Sequence, residues 1–300
     1  MRIVHSNLEL AQAVAEARAA GKRIGFVPTM GALHAGHLSL VRLAQEHADF
    51  VVVSIFVNPL QFGAGEDFDK YPRTLETDAA ALETLNADLV YAPSANEIYA
   101  DESGVLDQSV KHHAGPVGAG FEGAIRPGHF DGMLTVVARL FDLVKPDVAV
   151  FGAKDAQQLF LVRQLAAEHY PALRIVAAPI VREASGLAMS SRNRYLSAAD
   201  LEVAQSLSAS LRAADAASRA SGGTAASILA AASQVMAANP SAKLDYLALV
   251  DQRTFAPVAD GFVGPALMLI AARVGTTRLL DNQEILVGQH KRFPSVGARK

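Results

Sequence analysis

The chain alternates short, wholly apolar runs with longer segments whose apolar residues recur every three or four positions. Residues 23–27 (RIGFV) read as a strand ended by a turn at 28–31 (PTMG). From Gly36 the spacing becomes helical, with Leu38, Leu40, Val41, Leu43 and Ala44 on one repeating face. Residues 50–57 (FVVVSIFV) are β-branched and almost entirely apolar, the pattern of a strand covered on both sides. A helix over 75–85, a strand over 87–91, a helix over 133–144, a strand over 147–151, a helix over 157–169 and a strand over 174–178 continue the alternation. Strands separated by crossover helices predict an α/β fold, a Rossmann-like, doubly wound parallel sheet.

After about residue 180 the pattern changes. Two Ala-rich helices, over 198–220 and 225–238, are separated by Ser221-Gly222-Gly223 and followed by strands over 244–250 and 266–274. Helices followed by strands, without alternation, predict a smaller α+β domain. The expected division is therefore 1–180 and 181–300. The segment from Gly288 onward mixes Lys, Arg, Pro and Gly and reads as a loose tail.

The length of 300 residues fits two domains, and 51% hydrophobic against 19% charged residues belongs to an ordinary globular chain. Twenty-seven Lys and Arg against 30 Asp and Glu leave a net charge of -3, which argues against a nucleic-acid partner. The chain has no cysteine, so a disulfide scaffold, a Cys-ligated metal and a thiol nucleophile are excluded. The first residues lack the apolar core and cleavage pattern of a leader, and no run reaches the roughly 18 apolar residues of a membrane span. A soluble, cytoplasmic protein is the expectation.

Chemistry concentrates where strands hand over to helices. In Met30-Gly31-Ala32-Leu33-His34-Ala35-Gly36-His37, the glycines let backbone approach a ligand and the helix start offers free N–H groups to a phosphate. His34 and His37, three apart, can face one anion. A turn with two surface histidines is the plainer alternative, and a zinc site lacks a third ligand at helical spacing. A second junction, Gly152-Ala153-Lys154-Asp155 with Gln157 and Gln158, places a cation and an amide at a helix start; a helix simply capped by Asp155 is its alternative.

A third segment, Val181-Arg182-Glu183 with Met189-Ser190-Ser191-Arg192-Asn193-Arg194, is rich in donors and suits a triphosphate, or else is a solvated loop. Asn58 and Gln61, just past the strongest strand, suit a small polar ligand, or ordinary turn chemistry. Glu122, Arg126 and His129 lie in a Gly-rich stretch, 115–132, that reads as a mobile flap. Asp78 is a weak candidate for a divalent metal, and an acidic first helical turn accounts for it equally.

Four blocks in order, VPTMGALHAGHLSLV, VSIFVNPLQFGAGEDFDKYPRT, FGAKDAQQL and GLAMSSRNRYLS, with the late LLDN at 279–282, resemble the pantothenate synthetase (pantoate–β-alanine ligase) family over essentially the whole chain. The two-histidine element also resembles the HxGH signature of the wider nucleotidylyltransferase superfamily, and Met189-Ser190-Ser191-Arg192 is similar to its second phosphate-binding loop. Ala153 stands where family members commonly carry Glu, and Ala156 where a bulkier residue is usual.

The resemblance implies attack of pantoate on MgATP to give pantoyl adenylate and pyrophosphate, then displacement of AMP by β-alanine. It implies an ATP site made of Met30 to His37, Gly152 to Asp155, Val181 and Met189 to Arg192. Within it, His34, His37, Lys154, Ser190 and Arg192 are the expected catalytic groups, with His37 either a proton donor or an electrostatic stabiliser. Gln61 and Gln158 are expected to hold pantoate, Gln61 also β-alanine, with Mg²⁺ as the metal and a homodimer as the assembly. The second domain is expected to close over the nucleotide, with Arg126, Arg182 and Arg194 adding positive charge. An adenylyltransferase making a dinucleotide shares the histidine element but has no use for the Asn58–Gln61 and Gln157–Gln158 blocks. A non-catalytic nucleotide sensor would be expected to have lost Lys154 or His37, and a tRNA-aminoacylating enzyme to carry a basic anticodon-binding region.

Overall fold

The computed structural model describes residues 1–63, 68–101, 103–220 and 223–288. The predicted tail beyond Gly288 and the Ser221-Gly222 pair between the two Ala-rich helices lie outside the described residues. The chain divides into two compact units, Met1–Val181 with Met189–Ser191, and Arg182–Ala188 with Arg192–Lys300. The cut lies beside residue 180, but Met189–Ser191 return to the first unit, a crossing that no composition shift marks.

In the first unit the order is β1 (Arg2–Val4), α1 (Asn7–Ala19), β2 (Ile24–Thr29), α2 (Ala35–His47), β3 (Phe50–Ile55), α3 (Leu75–Glu83), β4 (Leu89–Tyr91) and α4 (Ala95–Tyr99). It continues through α5 (Glu122–Ile125), α6 (His129–Val144), β5 (Val148–Gly152), α7 (Ala156–His169) and β6 (Arg174–Ala178). The six strands form one sheet in the order β1-β4-β3-β2-β5-β6, with every pairing parallel. Alternate residues feed opposite faces: Ile24, Phe26 and Val52 join one core with Leu10, Phe141 and Leu161, while Val27, Val51 and Val53 join another with Leu40, Val41 and Leu82. This two-sided burial is why β3 reads as an unbroken apolar run. Each fully buried Phe or Leu contributes about 1.5–3 kcal/mol of transfer free energy.

β1, α1, α4 and α5 have no counterpart among the expected elements, and β2 is longer than expected. β2 runs on through Pro28 and Thr29, which pair with Ser54 and Ile55, so the turn starts later than 28. α1, unpredicted, carries Leu10, Ala13, Val14 and Ala17 on its buried face behind a Ser6–Glu9 capping box.

The second unit holds α8 (Ala198–Arg219), α9 (Ala225–Ala237), β7 (Ala242–Asp251), β8 (Gly264–Val274) and β9 (Thr277–Val287). The strands make an antiparallel sheet, β7-β8-β9, and share a core with both helices through Leu207, Leu211, Ile228, Met268 and Ile270. β9 is a further strand beyond the two expected.

Candidate active site

The strand order reverses at β2. From β2 the chain passes through α2 to β3 on one side, while β5, paired to β2 through Gly25–Val148 and Phe26–Ala149, lies on the other. A doubly wound sheet opens its binding crevice at the carboxyl ends of such a pair. The 30–37 segment follows β2 and the 152–158 segment follows β5, so the fold brings the first two predicted segments side by side.

The first junction is held by side chains. Gly31 (φ 82°) and Ala32 (φ 51°) take left-handed conformations, and a Cβ on Gly31 would lie 3.0 Å from Asp78 Oδ2. The Ala32 and Leu33 amides donate to the two Asp78 oxygens at 2.9 and 2.8 Å, and Thr74 Oγ1 donates to the same carboxylate at 3.1 Å. Asp78 is buried in the first turn of α3. Its oxygens are thus committed to the loop, which is a different use from the metal ligation read as a candidate. Among the described residues no group of three or more His, Asp or Glu side chains could hold a metal ion.

His34 is the N-cap of α2. Its Nδ1 accepts from the Gly36 amide at 3.1 Å, and His37 Nδ1 accepts from the His34 amide at 3.3 Å, a capping box made of imidazoles. The rings pack with centroids 4.1 Å apart. Gly36 is needed because a Cβ there would meet His34 Cε1 at 2.8 Å, so the missing side chain makes room for the ring to fold over the helix start. With Nδ1 accepting, each neutral ring carries its proton on Nε2. Burial first, then the charge of His34, pushes the His37 pKa down to about 4; Asp155 opposes the shift and Lys154 adds to it. His37 is therefore neutral at neutral pH, within electrostatic reach of Lys154 and Asp155 of the other junction.

The second junction is differently made. Asp155 sits at the N-cap of α7 but makes no side-chain capping bond, so the capped-helix alternative does not hold. Gln157 turns away from the crevice: its Nε2 donates to Val117 O at 2.7 Å and Gly120 O at 2.9 Å, and its Oε1 accepts from the Glu122 amide at 3.1 Å. That anchors the stretch expected to be a flap, which contains α5 and the start of α6. Gln158 is half-buried on the next position.

Gln61 joins the first junction through Nε2, 3.0 Å from Met30 Sδ. Its backbone carbonyl accepts from Arg126 Nη2 at 3.2 Å and His129 Nδ1 at 2.8 Å. Met189 reaches the same place, since a Cβ built on Gly36 would stand 4.0 Å from its Cβ. The Met189 amide donates to Val181 O at 2.9 Å, which ties those two predicted residues together. Four sequence blocks far apart in the chain thus meet at the carboxyl edge of β2.

A model of the family described as pantoate-beta-alanine ligase matches residues 2–284. The chain belongs to the pantoate-beta-alanine ligase family. It is 54% identical over 267 residues to the pantothenate synthetase of Leifsonia xyli subsp. xyli, covering 89% of this chain and 90% of the relative. It is 52% identical over 280 residues to that of Acidothermus cellulolyticus, covering 91% and 90%. The crystal structure of pantothenate synthetase from Thermus thermophilus superposes with a TM-score of 0.83 at 45% identity, over 95% of this chain and 100% of that one. A pantoate-beta-alanine ligase from Francisella tularensis, complexed with beta-gamma ATP and beta-alanine, superposes with a TM-score of 0.71 at 34% identity, over 94% and 97%.

Not every polar residue of the ligase motifs is left to a ligand. Arg182, read as a phosphate cation, makes a two-pronged pair with Asp281 at 2.6 and 3.0 Å and also donates to the Gly186 and Asn282 carbonyls. Asn193 donates to Glu183 Oε1 at 2.9 Å and Ala188 O at 3.1 Å. Both brace the second unit, and Asp281 of LLDN is there as the partner of Arg182. Arg192 and Arg194 belong to the same unit; Arg194 is exposed and Arg192 exposed at the start of the same short turn. Asn58, expected with Gln61 to meet a small polar ligand, stands behind Gln61 and donates to its Oε1, and Tyr99, which no motif marked, bonds Asn58 in turn.

Proposed function

We propose that the β2–β5 crevice adenylates a carboxylate and passes it to an amine. The chain is a ligase that condenses pantoate with β-alanine, using ATP and a pantoyl adenylate, and forms an amide bond. The observation that carries the site assignment is the convergence of His34, His37, Lys154 and Gln61 at one strand edge in a chain of this family.

A carboxylate is a poor acyl donor because its leaving group would be oxide. Attack of a pantoate oxygen on the α-phosphorus forms a C–O–P bond and breaks the bond from that phosphorus to the bridging oxygen, releasing pyrophosphate. The β-alanine amine then attacks the acyl carbon, and AMP leaves with the electrons of the former C–O bond. No protein nucleophile takes part, so the protein's work is orientation and charge stabilisation.

In this reading His34 and His37 present Nε2–H groups to phosphate oxygens. A neutral His37 donates a hydrogen bond and keeps its proton, which favours the electrostatic role over the proton-donor role. Lys154 neutralises phosphate charge, and the backbone of 30–36 and 152–155 lines the nucleotide with Val181, Met189, Ser190, Ser191 and Arg192, the last four assigned from the motif. Gln61 and Gln158 hold pantoate, Gln61 also β-alanine, and Asp78 shapes the nucleotide loop. Magnesium enters as part of the MgATP substrate. A homodimer and a cytoplasmic location rest on the family alone; among the described residues no helix is long and apolar enough to cross a membrane.

The test is product release. Purified protein given ATP and pantoate should release pyrophosphate in one burst, with AMP appearing only after β-alanine is added. Pyrophosphate release in the absence of pantoate contradicts the reading.

A further inference from the structure

The hydrogen bonds behind Gln61 determine which end of its amide faces the ligand. At Asn58 their direction is unambiguous. The Leu60 amide, which can only donate, lies 3.2 Å from Asn58 Oδ1, and the Gly132 carbonyl, which can only accept, lies 3.1 Å from Nδ2. With Asn58 so oriented, Nδ2 donates to Gln61 Oε1 at 3.2 Å, and the Tyr99 hydroxyl, 2.6 Å from Oδ1, is a donor.

We infer that Tyr99, acting through Asn58, is a positioning residue that holds Gln61 with its Nε2–H₂ group turned toward the oxygens of pantoate. The chain of bonds runs one way, from Tyr99 O–H to Asn58 to Gln61, and its free end is a donor, the complement of a carboxylate or hydroxyl oxygen. In this structure that end meets Met30 Sδ, a weak acceptor that a substrate oxygen readily replaces. Reversing the Gln61 amide would set two N–H donors against each other at Asn58 Nδ2 and present an oxygen to an anionic substrate. All three side chains are buried, so no bulk water competes for these bonds. Burial also raises the Tyr99 pKa far above the ordinary phenol range, which keeps its hydroxyl a donor at any assay pH. The backbone around Gln61 has no slack, because a Cβ on Gly132 would lie 2.0 Å from Leu60 O.

This inference rests on the assignment of Gln61 to pantoate. Tyr99→Phe removes the hydroxyl and leaves the ring that packs 6.2 Å from Phe56, so the fold is kept. The KM for pantoate should rise roughly three- to tenfold, the worth of one neutral hydrogen bond, with the KM for ATP unchanged. In a Gln61→Ala background the same substitution should add nothing further. A Tyr99→Phe enzyme whose pantoate KM is unchanged, or whose pantoate and ATP constants rise together, overturns the relay. Equal effects of Tyr99→Phe with and without Gln61 overturn it as well. A Gln61→Ala enzyme with a normal pantoate KM instead removes the assignment on which the relay stands.

Discussion

At the end of β2 the chain turns through two left-handed residues, is pinned by Asp78 and is capped by two histidine rings; at the end of β5 it enters α7 with an N-cap carboxylate that makes no capping bond. The two junctions face one crevice and are prepared differently. The first has its donors and its shape in place before a ligand arrives. The second, beside Lys154, puts no side-chain cap over the amides of its first helical turn. A transition state with moving charge gains most from donors that need no rearrangement, so in the proposed adenylation the first junction would face the reacting phosphorus and the second the phosphates that leave.

Three substitutions press on this difference, from the largest expected effect to the smallest. His37→Ala removes one prepared donor and should slow single-turnover formation of pantoyl adenylate by about 10²–10³-fold. An unchanged rate would take His37 out of the reaction. Asp78→Asn keeps the shape but turns one acceptor into a donor facing an amide or the Thr74 hydroxyl. It should cost about 1.5–3 kcal/mol in denaturant unfolding, the worth of one charge-assisted hydrogen bond, and raise the KM for ATP more than that for pantoate. Asp155→Ala should cost less than the roughly 0.5–2 kcal/mol of a lost side-chain cap, because no cap is present to lose. A full capping penalty at Asp155 would erase the contrast between the junctions.

Much of this was legible in the chain, and what was not has a common cause. The alternation of apolar runs and helical spacing exposed the parallel sheet, because burial on both faces leaves its mark on consecutive residues. The histidine junction was legible because its partners lie within three positions. Arg182 was misread because its partner, Asp281, is 99 residues away, and a lone arginine in a loop carries no sign of what neutralises it. Asp78 looked like an acid at a helix start; its grip on Ala32 and Leu33 spans 46 and 45 residues. Tyr99 escaped notice for the same reason, its partner Asn58 lying 41 residues away. α1 is the exception, since Ser6 and Glu9 spell a capping box and the spacing of Leu10, Ala13, Val14 and Ala17 is helical.

The protonation of His37 decides whether the first junction stabilises charge or delivers a proton. Its pKa is depressed from 6.5 to about 4, so the ring stays neutral until the pH falls well below neutrality. The stability linked to this neutral ring is present above 6.5 and is lost as the pH drops toward about 4. Nitrogen-15 NMR of histidine-labelled protein reads both the proton's place and the titration. The account predicts a neutral Nε2–H tautomer for His37 with a midpoint near 4. A midpoint near 6.5, or a proton resting on Nδ1, would contradict it.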